Sequence, residues 1–296
     1  MQLVRTPAAI SFRNILFLTD FSGATTRALA YALAFARHFN ARLFPAHVID
    51  RPVEPGTVVA AGEASDLEGQ KRQQLSRQVE FNGIEFQPLI TQCEFEAAIP
   101  HWVAEHNIDL IVMGTHGRSG VQRFLLGSAS EWVVRSGLCP VLTVGPYVDV
   151  PRLFKLNIEK ILYPATLVDR ATGLALDHAL SLAAEKCARL MMLHVLPDDA
   201  RDYQDRTRIL RFALNELQSL LPPNASSLCR PEFAVDAGEA GERILVHARN
   251  ERPDMIVMGL RQSSMDDEAH ENGIAYRVIS LAPCPVLTVP ESVQEH

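Results

Sequence analysis

Short runs of consecutive apolar residues alternate along the chain with longer stretches in which apolar residues return at helical spacing. Ile15 to Thr19 is such a run with turn residues after it, the pattern of a buried strand. Thr25 to His38 is rich in Ala and Leu with a 3.6-residue period, which predicts a helix. Arg42 to Ile49 reads as a second strand and Ser65 to Phe81 as a more polar helix. Ile84 to Thr91 reads as a strand, and Pro88 places it toward a sheet edge because proline donates nothing to a ladder. Phe95 to His106 (helix), Leu110 to Met113 (strand), Ser128 to Ser136 (helix) and Val141 to Val144 (strand) complete the first half. The second half repeats the order: a strand at Ile161, a helix over Gly173 to Lys186, a strand over Leu190 to Val195, and a last strand over Val286 to Val289. Strands that are apolar throughout, alternating with helices, imply a parallel sheet covered on both faces. Each half is therefore expected to be an α/β, doubly wound domain with a five-stranded parallel sheet.

The repeat is visible residue by residue. Ile108-Asp-Leu-Ile-Val-Met-Gly114 returns as Pro253-Asp-Met-Ile-Val-Met-Gly259, and Cys139-Pro-Val-Leu-Thr-Val144 as Cys284-Pro-Val-Leu-Thr-Val289, both 145 residues later. Asn14-Ile-Leu-Phe against Lys160-Ile-Leu-Tyr is a looser third pair. One period spans half of the 296 residues, so the chain is a duplicated domain and not a solenoid. The expected domains are 1–148 and 149–296, joined near Gly145-Pro146. Val141 to Val144 and Val286 to Val289 end their halves and would leave apolar sheet edges. Antiparallel pairing of these edges about a local two-fold would cover both.

Composition narrows the class. The chain is 47% hydrophobic and 21% charged, enough apolar material for two modest cores. A net charge of −7 argues against a nucleic-acid-coating protein, and no apolar run is long enough to span a membrane. Met1 to Asp20 lacks the layout of an export signal, so a cytoplasmic location is expected. The five cysteines are widely spaced without a C-x-x-C pair, which predicts reduced, mostly buried thiols and no zinc knuckle.

Ligands of doubly wound sheets bind beyond the C-terminal strand ends, at the switch point of the strand order. After Leu110 to Met113 comes Gly114-Thr-His-Gly117-Arg-Ser-Gly120, and ten residues past Gly117 comes Gly127-Ser128-Ala129-Ser130, a G-x2-G-x9-G-S pattern. Glycines let backbone N–H groups approach an anion, and a helix N-terminus supplies unpaired amides and a positive dipole end. Ser128 can serve as N-cap or donate its hydroxyl to a phosphate, and Arg118 and Arg123 can add charge. A bare turn and capped helix would use the same residue types. Asp20, before Ser22, can likewise cap the following helix.

These residues together resemble the universal stress protein family, over essentially the whole chain as a tandem of two domains. The carriers are I-L-F-L-T-D at Ile15 to Asp20, D-L-I-V-M-G-T-H-G-R at Asp109 to Arg118, Gly127-Ser128, and C-P-V-L-T-V at Cys139. The resemblance implies an adenine nucleotide alpha hydrolase-like, Rossmann-like fold and ATP as ligand, alone or with magnesium. It implies that Asp20 accepts hydrogen bonds from the ribose and that backbone groups near Val48 hold the adenine, with Met113 lining that pocket. Gly114, Gly117, Gly127, Ser128 and Ala129 would then hold the phosphates, with Arg118 placed by its charge to join them. Where family members carry a Gly after the third strand, this chain has Cys93.

The second half keeps only Gly259 of that loop. Gly117 corresponds to Gln262, Gly127 to Asn272, Ser128 to Gly273 and Asp20 to Thr166, although Asn272-Gly273 can form a tight turn. Asp266, Asp267, Glu268 and Glu271 would face the phosphates, and residues 149–296 carry a net −6 against −1 for residues 1–148. The expected function is a nucleotide-dependent sensor or regulatory module of the stress response. Its partners would be an adenine nucleotide, the chain's own other half and an unidentified protein, with a homodimer left open and no nucleic acid or membrane. There is no G-x4-G-K-[ST] loop and no recognisable catalytic set, and His116 alone does not make one. Catalysis at most as slow ATP hydrolysis or autophosphorylation, and a nucleotide-free interaction protein, are the alternatives.

Overall fold

Alternating apolar positions decide which side of each strand meets which helix. In the computed structural model, which describes residues 10–49, 61–79, 83–115, 126–150, 155–167, 173–197, 206–261 and 268–291, the first half runs β1 (Asn14–Leu18), α1 (Gly23–Phe39), β2 (Arg42–Val48), α2 (Ala61–Val79), β3 (Leu89–Thr91), α3 (Phe95–Glu105), β4 (Leu110–Gly114), α4 (Ser128–Ser136) and β5 (Val141–Val144). The second runs β6 (Lys160–Pro164), α5 (Leu174–Ala184), β7 (Arg189–Leu196), α6 (Arg206–Ser219), α7 (Ala225–Leu228), β8 (Arg230–Ala237), α8 (Ala240–Glu251), β9 (Met255–Arg261), α9 (Glu268–Leu281) and β10 (Val286–Glu291). Ile15 and Phe17 point to the face covered by α1 and α5, while Leu16 and Leu18 point to the face covered by α3, α4, α8 and α9. Both core layers run through both halves.

The strand order is β3-β2-β1-β4-β5-β10-β9-β6-β7-β8. Each half is a parallel five-stranded unit, and β5 and β10 join the two antiparallel. The join is the one expected from the repeat, and its register shows the local two-fold. Leu142 lies opposite Leu287, its own equivalent, and Thr143 and Val141 lie opposite Val286 and Thr288. The hydroxyl of Thr143 donates to the Val286 carbonyl at 3.1 Å, and that of Thr288 to the Val141 carbonyl at 3.2 Å, a reciprocal pair. On the α1/α5 face the halves also touch directly: the Ile10 amide, ahead of β1, donates to Ser181 Oγ of α5 at 2.8 Å, and His38 of α1 pairs with Glu185 just past α5.

One strand is shorter than its sequence pattern predicts. Ile84 to Thr91 shrinks to Leu89–Thr91, with Phe86 making only an isolated bridge to Leu43. Pro88 interrupts the ladder because it has no N–H to give. The opposite outer strand, β8, runs the full eight residues beside β7.

Asp109 of the repeated motif has a structural task. Its carboxylate accepts the Arg13 and Asn14 amides at 2.7 and 3.1 Å, fixing the entry to β1. Asp254 does the same for the Glu159 and Lys160 amides at 2.8 and 2.9 Å before β6. Asp109→Ala and Asp254→Ala are each expected to cost about 1–2 kcal/mol, since a charged acceptor is lost from two amides. Urea titration of each variant against the parent measures this, and unchanged midpoints would remove the role.

The thiols separate by burial. Cys93 and Cys187 are exposed, whereas Cys139, Cys229 and Cys284 are buried. Burial pushes the buried thiols up to about 12, 11 and 12 respectively, so they carry essentially no thiolate at pH 8. A colorimetric thiol reagent at that pH should therefore titrate Cys93 and Cys187 in the native protein and the other three only after denaturation.

Candidate functional site

In the first half the strand order reverses between β1 and β4, and their C-terminal ends flank the crevice. Leu18 lies beside Met113 across it, so Asp20 follows one wall and Gly114 ends the other. Met113 is buried on the α3/α4 face, and half-buried Val48, at the end of β2, packs against that same layer. The apolar part of the expected site is thus brought together.

The turn after β1 is tightly wired. The Asp20 carboxylate accepts the Ser22 amide at 2.9 Å, where Ser22 is the N-cap of α1. Asp20 therefore closes a side-chain turn ahead of α1 and does not cap the helix, and the bond holds its carboxylate just beyond β1. Thr19 Oγ1 accepts the Phe21 amide at 3.0 Å and meets Thr25 Oγ1 at 3.0 Å. Phe21 takes a left-handed backbone with φ 62°, uncommon for a bulky residue. Its ring meets His47 edge-on at 4.6 Å, and Lys71 Nζ lies 4.6 Å from its centre.

His47 is a residue that the motif reading missed. Its Nδ1 lies 2.7 Å from the Thr19 carbonyl and ties the end of β2 to the turn that presents Asp20. His194 repeats this in the second half, with Nδ1 2.9 Å from the Ala165 carbonyl. Comparing Arg42-Leu-Phe-Pro-Ala-His47-Val with Arg189-Leu-Met-Met-Leu-His194-Val would have shown it, at an offset of 147 residues.

At the phosphate end, α4 begins at Ser128 and its N-cap is Gly127, with φ −64° and ψ 145°. This corrects the expectation that Ser128 caps: the extended backbone sits one residue earlier, and Ser128 and Ala129 are the exposed first helical residues. The Gly127 amide donates to the Thr115 carbonyl at 3.0 Å, and buried Ser130 donates its hydroxyl to the Gly114 carbonyl at 2.9 Å. These two bonds hold the open end of α4 against the end of β4. The leading amides of a helix have no acceptor within it, so this end presents donors and a positive dipole to the crevice. Gly117 and Arg118 lie outside the described residues, as do His116 and Arg123.

The second half differs at the same places. α9 begins at Glu268, so Asn272 and Gly273 lie inside the helix and form no tight turn. Their amides are spent on intrahelical bonds where Gly127 and Ser128 open a helix. Gly259, the equivalent of Gly114, is covered by Glu291: a Cβ there would fall 2.6–2.8 Å from that carboxylate. Glu291 Oε1 also accepts the Ala175 amide, at 3.4 Å, near the start of α5. Exposed Thr166 stands in place of Asp20, and Gln262, Asp266 and Asp267 lie outside the described residues.

Comparison with known proteins gives consistent results. The profile of the universal stress protein family matches residues 11–145 and again 157–290. A universal stress protein of Methanocaldococcus jannaschii is 30% identical over 140 residues, which are 45% of this chain and 82% of that protein. The crystal structure of a universal stress protein from Archaeoglobus fulgidus superposes with a TM-score of 0.69 at 20% identity, covering 96% of this chain and 99% of that one. That likeness extends over both halves and concerns the fold.

Proposed function

Because the chain belongs to the universal stress protein family through both of its halves, we propose that it is an ATP-binding regulatory protein of the stress response with one nucleotide site, in the first half. The observation that carries this reading is the difference between α4, which opens at Gly127 toward the crevice, and α9, which closes the equivalent place. The amides of Ser128 and Ala129, beside a glycine without a side chain, suit phosphate oxygens. Asp20, held by the Ser22 amide, would accept the ribose hydroxyls, and the backbone at Val48 with the Met113 layer would receive the adenine. Gly114, Gly117 and Arg118 would complete the phosphate loop. Magnesium, when it accompanies the nucleotide, would be held mainly by phosphate oxygens and water, its common mode.

In the second half the Glu291 carboxylate over Gly259 would repel a phosphate. Its value would lie in packing and in sensing. Thr115 donates its amide to the Val144 carbonyl, and a Cβ on Gly145 would meet Thr115 Oγ1 as well as the Ile279 and Ala282 carbonyls at the end of α9. The root of the phosphate loop thus touches the second half through one residue. Titration calorimetry on the full chain is expected to give one ATP per chain. Two equivalent sites would overturn the single-site assignment, and absence of any heat or co-purified nucleotide would overturn ATP binding itself.

A further inference from the structure

A cleft of about 730 Å³ opens elsewhere in the molecule, beside the N-terminal ends of β9 and β10. Doubly wound sheets place ligands at the opposite strand ends, so the parallel-sheet architecture does not account for it. Its described lining comes from both halves and from between them: Tyr147, Val150 and Lys155 lie between β5 and β6, α1 supplies Tyr31, and the end of α8 supplies Arg249 and Arg252. The volume lies within the range of small-molecule sites, and a junction between domains is a common place for one.

Its chemistry has two sides. Tyr147 and Val150, both in the cleft lining, are each about half exposed. Lys155, Arg249 and Arg252 make no ion pair with a carboxylate among the described residues. Against these three cations the lining holds two carboxylates, Asp149 and Asp254, the latter accepting the Glu159 and Lys160 amides, while the Asp149 backbone carbonyl accepts the Tyr31 hydroxyl at 3.1 Å. The cleft therefore keeps an excess of positive charge on a half whose net charge is −6. Burial, ahead of the nearby Cys284, Asp254 and Asp149, holds the Tyr31 phenol neutral far above its usual range, so it adds no negative charge.

We propose that this cleft is a second ligand site, for a small amphipathic anion: an aromatic or otherwise flat apolar body bearing one sulfonate, carboxylate or phosphate group. The body would lie against Tyr147 and Val150 and the anion would face Arg249, Arg252 and Lys155, with the guanidinium forks suited to planar or tetrahedral oxyanions. Occupancy would bridge the two halves through the segment that joins them.

The probe is anilinonaphthalene sulfonate, titrated into the full-length protein and followed by fluorescence. One saturable site is expected, with the neutral ring analogue phenylnaphthylamine binding about tenfold or more weaker. The double variant Arg249→Glu/Arg252→Glu should weaken sulfonate binding by about tenfold or more while its thermal midpoint stays close to the parent's. Lys155→Glu, on the joining segment, provides a second variant should the first lose stability. Gly127→Val and saturating ATP should leave the probe bound, which separates this cleft from the nucleotide site. Equal affinity for the charged and neutral probes, insensitivity to both charge reversals, or displacement by ATP that Gly127→Val abolishes would each overturn the proposal.

Discussion

Gly127→Val is expected to abolish ATP binding while leaving the protein folded. Gly127 has φ −64° and ψ 145°, a backbone that valine adopts without strain, so the substitution does not break the turn. Its cost to α4 is that of exchanging a glycine N-cap for a poor one, about 1 kcal/mol at most. The branched side chain, however, would stand over the amides of Ser128 and Ala129, where the phosphates are proposed to rest. Losing those charge-assisted bonds corresponds to at least about a hundredfold in affinity, or ~2.7 kcal/mol. Calorimetry measures the affinity and circular dichroism the fold. Unchanged affinity in a folded variant would falsify the phosphate-loop assignment.

Residues 1–148 produced alone are expected to dimerise at micromolar concentration. Cutting the chain removes β10 and exposes β5, whose four residues are all buried in the intact protein. The intact seam shows how a second copy would fit. Leu142 meets its equivalent Leu287 at the local two-fold, and the Thr143 and Thr288 hydroxyls reach across to carbonyls in reciprocal fashion. Two identical β5 strands can reproduce this with Leu142 against its own copy, an isologous closed contact. In the full chain the join keeps the halves at high effective concentration, so the same seam forms with little entropic penalty. Leu142→Ala, fully buried there, should cost about 2–5 kcal/mol in the intact protein. Sedimentation of the isolated half decides the first point, and a stable monomer would show that the edge does not drive pairing.

What was legible in the sequence follows from periodicity and duplication. Apolar runs such as Ile15 to Leu18 and Leu110 to Met113 place strands because a strand buried on both faces needs apolar side chains at every position. The 145-residue repeat placed two matching units, and the edge at Val141 to Val144 implied its partner at Val286 to Val289. Glycines at Gly114 and Gly127 marked the end of β4 and the opening of α4, where the structure has both. These are local signals, carried by residue type and spacing.

The tertiary structure alone decided the contacts between distant residues. That Ser130 bonds to Gly114, that His47 holds the Thr19 carbonyl, and that Glu291 covers Gly259 depends on strand order and register, which no short window of sequence contains. The start of α9 at Glu268 was hidden for a different reason. Asn272-Gly273 is a turn signal by propensity, yet α9 runs through it and packs Ala275, Val278 and Ile279 into the core. Propensity at those two residues amounts to about 1 kcal/mol, and burial of an apolar helical face outweighs it.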